Sequence, residues 1–72
     1  MEGVRVEVTD RFTPGLGGRA DRTYVSPPHD PAAARELAAL LLDRAVAPEG
    51  DGPWRRALAG GLRTVRLLPS GR

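Results

Sequence analysis

One amphipathic segment, from Ala32 to Val46, constrains the fold of this chain more than any other feature. Asp30 can cap the exposed amides of a helix start, and Pro31 suits the first helical position. Apolar residues then recur at helical spacing and predict one stripe facing a core, formed by Leu37, Leu40, Leu41, Ala34, Ala38 and Ala45. Leu42 falls off that stripe. It is interpreted either as a partner-facing residue or as the edge of a wide buried face, and the second interpretation is favoured.

The segments on either side of this helix have the period-two pattern of β-strands. Valine alternates with polar residues from Val4 onward, which predicts a first strand that ends near Phe12. Residues 22–26 predict the return strand of an antiparallel hairpin, and Pro27 stops it. Residues 62–68 predict a final strand. The glycine-rich stretch 13–21 between the first two strands is expected to be a long loop, with its role left open.

A short second helix is predicted between the loop 48–52 and the final strand. Pro53 suits a helix start, and Trp54 and Leu58 are spaced to share one face before Gly60 and Gly61 end it. The main helix then acts as a crossover, so the last strand can lie parallel to the first.

The predicted fold class is therefore α+β. It is a small β-β-α-(short α)-β domain with a three-stranded mixed sheet and one main helix packed on one face. Five valines, at positions 4, 6, 8, 25 and 65, are expected to face the helix with Leu67, while Trp54 closes one end of the core.

The length of the chain predicts a single small α/β domain over residues 1–72 with a thin core. Only 19 of the 72 residues are apolar and larger than alanine, and there is no cysteine to supply a disulfide or a zinc ligand. Ordering costs about 1.5 kcal/mol per residue, which such a core offsets only narrowly. Dimerisation or docking on a partner is therefore expected. The sequence contains no apolar run of membrane-spanning length and no signal-like start, which predicts a cytoplasmic protein without membrane contact.

No catalytic, cofactor-binding or metal site is predicted. Ser26, His29 and Asp30 include the residue types of an acyl-transfer site, but catalytic triads are assembled from distant parts of a fold. The stretch 15–19 suggests a phosphate cradle, yet a strand rather than a helix is expected to follow it. A single histidine and scattered carboxylates do not form a metal-ligand cluster.

Positive charge is concentrated at the C-terminal end. Residues 1–52 contain six arginines and nine acids, whereas residues 53–72 contain five arginines and no acid. The candidate phosphate contacts are Arg55, Arg56, Arg63 and Arg66. The alternative is that these arginines lie on the solvent sides of two amphipathic elements and are neutralised by nearby acids, and this alternative is favoured.

Two functions remain in consideration. The first is a non-enzymatic protein-interaction module, a small homodimer or accessory subunit, that binds through the uncovered sheet face. Its candidate interaction surface consists of Phe12, Tyr24, Leu42 and Leu68. The second is a nucleic-acid-binding accessory protein that uses the C-terminal arginines.

Overall fold

The computed structural model describes residues 3–15, 20–50 and 52–69. Its elements are four strands and one helix. Strand β1 spans Val4–Phe12, β2 spans Arg22–Val25, α1 spans Pro31–Leu41, β3 spans Trp54–Leu58 and β4 spans Gly61–Pro69. The α+β class predicted from the sequence is confirmed, as are the first strand, the β1–β2 hairpin and the main helix.

The four strands form one antiparallel sheet in the order β2-β1-β4-β3. The two nine-residue strands β1 and β4 lie at its centre and are paired from Val4 opposite Pro69 to Phe12 opposite Gly61. Directly opposed residues of an antiparallel pair project from the same side of the sheet, so this register assigns every strand side chain to one of two faces.

Helix α1 covers one face of the sheet and encloses the core. Val6, Val8 and Val65 from the central strands are buried beneath Ala34 and Ala38 of the helix, together with Leu42 and Trp54. The helix begins as the sequence predicts, because the Asp30 side chain accepts a hydrogen bond from the Ala33 amide at 2.9 Å.

The apolar stripe of the helix is confirmed at Ala34, Leu37, Ala38 and Leu41, but its predicted member Leu40 lies outside the core. Leu42 is fully buried, whereas Leu40 is half exposed. Each residue advances 100° around a helix, so Leu40 lies about 200° from the buried Ala38, on the opposite side. The partner-facing interpretation of Leu42 is therefore wrong for this fold. The helix also ends at Leu41 instead of Val46, since Asp43 and Arg44 adopt left-handed backbone conformations with φ of 53° and 56°.

The predicted short second helix is wrong, because Trp54–Leu58 is strand β3. Gly60 and Gly61 do not end a helix. Ala59 and Gly60 form the turn of a hairpin that pairs β3 with β4, with Gly60 at a φ of 76°. This extra strand reverses the chain once more. The last strand is consequently antiparallel to β1, and the sheet has four antiparallel strands in place of three mixed ones.

Candidate functional site

The sheet face opposite the helix is not covered by any described part of the chain. Alternation and register place on this open face the side chains of Arg5, Glu7, Thr9, Arg11, Thr23, Val25, Arg55, Ala57, Leu62, Thr64, Arg66 and Leu68. The open face is positively charged, with four arginines against one glutamate. It presents guanidinium and hydroxyl groups, both of which donate hydrogen bonds to anions.

A shallow basin of about 180 Å³ lies in the middle of the open face. Thr9 and Thr64 are directly opposite each other on the two central strands, and Arg11, Arg55 and Arg66 complete the lining. Arg55 is directly opposite Thr64 on β3. We call this set of five residues the arginine–threonine basin.

The arginines of the open face differ in how strongly their charges are engaged. Arg66 forms an ion pair with Glu7, with 3.3 Å between Nε and Oε1, and Arg5 donates a hydrogen bond to the Ser26 carbonyl oxygen at 3.1 Å. Arg11 and Arg55 have no hydrogen-bond or ion-pair partner among the described residues, and both side chains are exposed. Their guanidinium groups are therefore the ones available to an external anion.

Two of the arginines predicted to contact phosphate lie on the helix side of the sheet. Arg56 pairs with Asp43 of the segment after α1, with 2.9 Å between Nε and Oδ2. Arg63 holds the buried carboxylate of Asp10 at 2.8 and 3.0 Å and also donates to the Leu41 carbonyl oxygen. The structure therefore brings together Arg55 and Arg66 but separates Arg56 and Arg63 from them.

The Asp10–Arg63 pair belongs to the scaffold of the site. The hydrogen bonds from Arg63 lower the pKa of Asp10 below its ordinary value, against the opposing effect of burial, and a further hydrogen bond from Arg22 acts in the same direction. The same pair raises the pKa of Arg63. Both groups remain ionised at neutral pH, and they fix β1, β4 and the end of α1 relative to one another.

The four residues of the predicted interaction surface do not share one surface. Leu42 lies in the core, and Phe12 is buried on the helix side at the end of β1. Tyr24 is exposed but also projects to the helix side, because it is paired with Val8. Leu68 alone lies on the open face, where it is partly buried.

Sequence reasoning missed Thr9, Arg11 and Thr64. Thr9 and Arg11 are visible as polar residues that alternate with the core residues of β1, and Thr64 falls between the core-facing Arg63 and Val65 of β4. What the sequence does not provide is the pairing of these two strands. Without the antiparallel register, Arg11 cannot be placed beside residues more than fifty positions later.

The polar residues Ser26, His29 and Asp30 have structural roles. The Ser26 hydroxyl accepts a hydrogen bond from the Val6 amide and donates to the Pro27 carbonyl oxygen, while His29 forms a backbone bridge with Val4. Asp30 caps the helix. Most of the glycine-rich stretch that suggested a phosphate cradle, residues 16–19, lies outside the described residues.

A second hollow, of about 320 Å³, lies where the helix begins. It is lined by Val4, Leu67, Pro31, Pro69 and Arg35 and is mainly apolar. Arg35 donates hydrogen bonds to the carbonyl oxygens of Pro48 and Gly50 at 2.6 and 2.8 Å. Its guanidinium group is therefore engaged in fixing the loop after α1. Of these two hollows, the arginine–threonine basin is the one that several polar side chains line.

Among residues 3–15, 20–50 and 52–69, histidines and carboxylates do not gather into any group of three that could hold a metal ion. The only helix in the same ranges, α1, is too short to cross a membrane. Comparison of the chain with family models, curated proteins and solved structures finds no match.

Proposed function

We propose that this chain is a non-enzymatic module that binds nucleic acid through the phosphate backbone, using the open face of its sheet. The observation that carries the proposal is the exposure of Arg11 and Arg55 on that face without an acidic partner among the described residues. A guanidinium group is planar and permanently charged, and it matches the oxygens of a phosphate with two parallel donors.

The spread of charge along the face favours a polymer over a small anion. Arg5 and Arg11 are six residues apart on β1, which at about 3.3 Å per residue corresponds to about 20 Å along the strand. Each strand of a DNA duplex carries one phosphate per 3.4 Å of helix axis. A backbone lying along the open face can therefore meet several of these arginines at once.

The composition of the face favours contact with the backbone and not with the bases. None of the strand residues on the open face is aromatic, so the face does not offer a surface on which unpaired bases stack. Arginine and threonine are typical of phosphate contacts, which position a protein on nucleic acid without reading its sequence. We therefore expect binding that depends little on sequence.

The proposal is tested by measuring the affinity of the full chain for a short labelled duplex by fluorescence anisotropy over a range of salt concentrations. The two charges that Arg11 and Arg55 bring to the phosphate backbone give a slope of about −2 in log affinity against log salt, since each contributes about −0.9. Arg55→Ala is expected to reduce the steepness of that slope by about one.

The matched control is Arg44→Ala, which removes the same charge from the helix side of the molecule, where Arg44 pairs with Glu36 at the surface. It is expected to leave the slope nearly unchanged. Equal losses in Arg44→Ala and Arg55→Ala would show that binding follows net charge alone and would contradict the proposal. An affinity for the duplex that is undetectable even at about 50 mM salt would contradict it as well.

A second candidate function, a protein-interaction module, is supported by a different observation. β3 is an edge strand whose outer side is not paired with any described strand, and exposed Leu62 lies beside it on the open face with Ala57. Edge strands of this kind can accept a further strand from another chain. The oligomeric state of the chain separates the two candidates.

A further inference from the structure

We infer that the arginine–threonine basin is a discrete site for a single phosphate group, formed by the hydroxyls of Thr9 and Thr64 and the guanidinium groups of Arg11 and Arg55. The inference rests on the proposed function, because the site lies within the same face. It goes further by naming one ligand group and one location, whereas the positive charge of the face alone would attract anions anywhere on it.

The sheet register surrounds one point with donors. Thr9 and Thr64 form a directly opposed pair. The Cβ atoms of such pairs are about 5 Å apart. Arg55 extends the same row on the next strand, while Arg11 lies two residues beyond Thr9 along β1. All four residues line the basin.

This arrangement suits a tetrahedral anion. Two hydroxyls and two guanidinium groups can meet different oxygens of a phosphate, whereas a planar carboxylate has only two oxygens to offer. The basin volume of about 180 Å³ also lies below the range typical of pockets that enclose a drug-sized ligand, about 300–1,000 Å³. The site therefore fits the phosphate of a larger ligand and leaves the remainder of that ligand on the open face.

Arg66 limits the basin on its remaining side. Its Nε lies 3.3 Å from a carboxylate oxygen of Glu7. The negative charge of that carboxylate repels an incoming anion. We assign Arg66 to the rim as a source of positive potential and Arg11 and Arg55 to direct contact, because these two have no competing acid among the described residues.

The test titrates the full chain with inorganic phosphate and with methyl phosphate, and follows amide signals of β1 and β4 by nuclear magnetic resonance. Saturation with one ion per chain and shifts centred on Thr9 and Thr64 are expected. Thr64→Val keeps the β-branched shape and removes one hydroxyl donor, and it is expected to weaken phosphate binding about tenfold.

Thr23→Val is the matched control, because Thr23 lies in the same row of the open face but on β2, outside the basin. It is expected to leave phosphate affinity unchanged. If Thr23→Val weakens binding as much as Thr64→Val, or if phosphate shifts signals without saturating, the discrete site is overturned.

The two proposals fail separately. A chain that binds the duplex in an Arg55-dependent manner but does not saturate with phosphate retains the proposed function and loses the discrete site. A chain that saturates with phosphate in a Thr64-dependent manner but does not bind the duplex supports the discrete site and overturns nucleic-acid binding.

Discussion

Asp10 is the residue on which the connection between sheet and helix depends most. Asp10 is 2% exposed, and its carboxylate accepts hydrogen bonds from Arg63 through both oxygens, while Arg22 of β2 donates to the second oxygen at 3.0 Å. Arg63 in turn donates to the carbonyl oxygen of Leu41 at the end of α1. One carboxylate thus joins three adjacent strands and, through Arg63, the helix. In a chain with so few large apolar residues this network fixes the arrangement of the sheet.

Replacing Asp10 by Asn is expected to destabilise the protein by about 3 kcal/mol at neutral pH, because it leaves the partly buried charge of Arg63 without its counter-ion. The fold lowers the pKa of Asp10, so this contribution is present above the unfolded value of about 3.9 and is lost as pH falls through the lower folded value. Urea unfolding followed by Trp54 fluorescence, at several pH values from 7 to 2, measures both effects.

The control for this prediction is Glu36→Gln. Glu36 pairs with Arg44 in an ion pair of which both members are exposed, so the expected cost is below about 1 kcal/mol. The stability difference between the wild type and Asp10→Asn should shrink below pH 4. A difference that stays constant down to pH 2 would mean that the carboxylate charge contributes little to stability.

At the scale of elements, the junction between β1 and the β3–β4 hairpin depends on a glycine. A Cβ atom built on Gly61 would clash with the Arg11 carbonyl oxygen and lie 2.7 Å from the Phe12 ring, so the backbone would have to shift to accept a side chain here. The backbone of Gly61 is not in the left-handed region, and its requirement is one of space.

Gly61→Ala is therefore expected to destabilise the fold by about 1–3 kcal/mol, as overpacking does, although alanine is the better residue elsewhere in a strand. It should also weaken duplex binding, because it displaces Arg11 relative to β4. Urea unfolding gives the first effect and the anisotropy titration the second. Gly50→Ala serves as the comparison, since a Cβ at that position meets no atom within 4 Å. It should affect stability through its positive φ alone and leave duplex affinity unchanged.

The elements that the sequence predicts correctly are those with a local cause. The alternation of valines in β1 and the Asp30–Pro31 start of α1 depend only on residues close together in the sequence. Both features are present as predicted. β3 is missed because Trp54 and Leu58 are compatible with a helical face as well as with the inner side of a strand. Only pairing with β4, a tertiary interaction, decides between the two.

The candidate site is predicted only in part for a related reason. Arg55 and Arg66 are recognised as candidates from the concentration of charge near the C-terminus, but Arg56 and Arg63 are drawn to acids on the helix side by contacts that composition does not reveal. Arg11 joins the site because β1 and β4 are paired along their whole length. The site is thus a property of the register between distant strands.

At the scale of the whole molecule, charge divides between the two sides of the sheet. Most acids of the described chain lie on the helix side or in the loops, where Asp10, Asp43 and Glu36 pair with arginines. The open face keeps four arginines and one glutamate on its strands. Like charges in opposition suppress association, so this distribution disfavours two copies meeting face to face and favours an anionic polymer on the same surface.

We therefore expect the chain to sediment as a monomer over a concentration series at low salt, and to bind the duplex in that state. Self-association as a protein-interaction module would need another surface, of which the outer edge of β3 is the strongest candidate. The second function would be favoured by a dimer that forms at low salt and does not bind the duplex. In that case the melting temperature would rise with protein concentration. A dimer that appears only at high salt, where repulsion between arginine faces is screened, would agree with the charge argument.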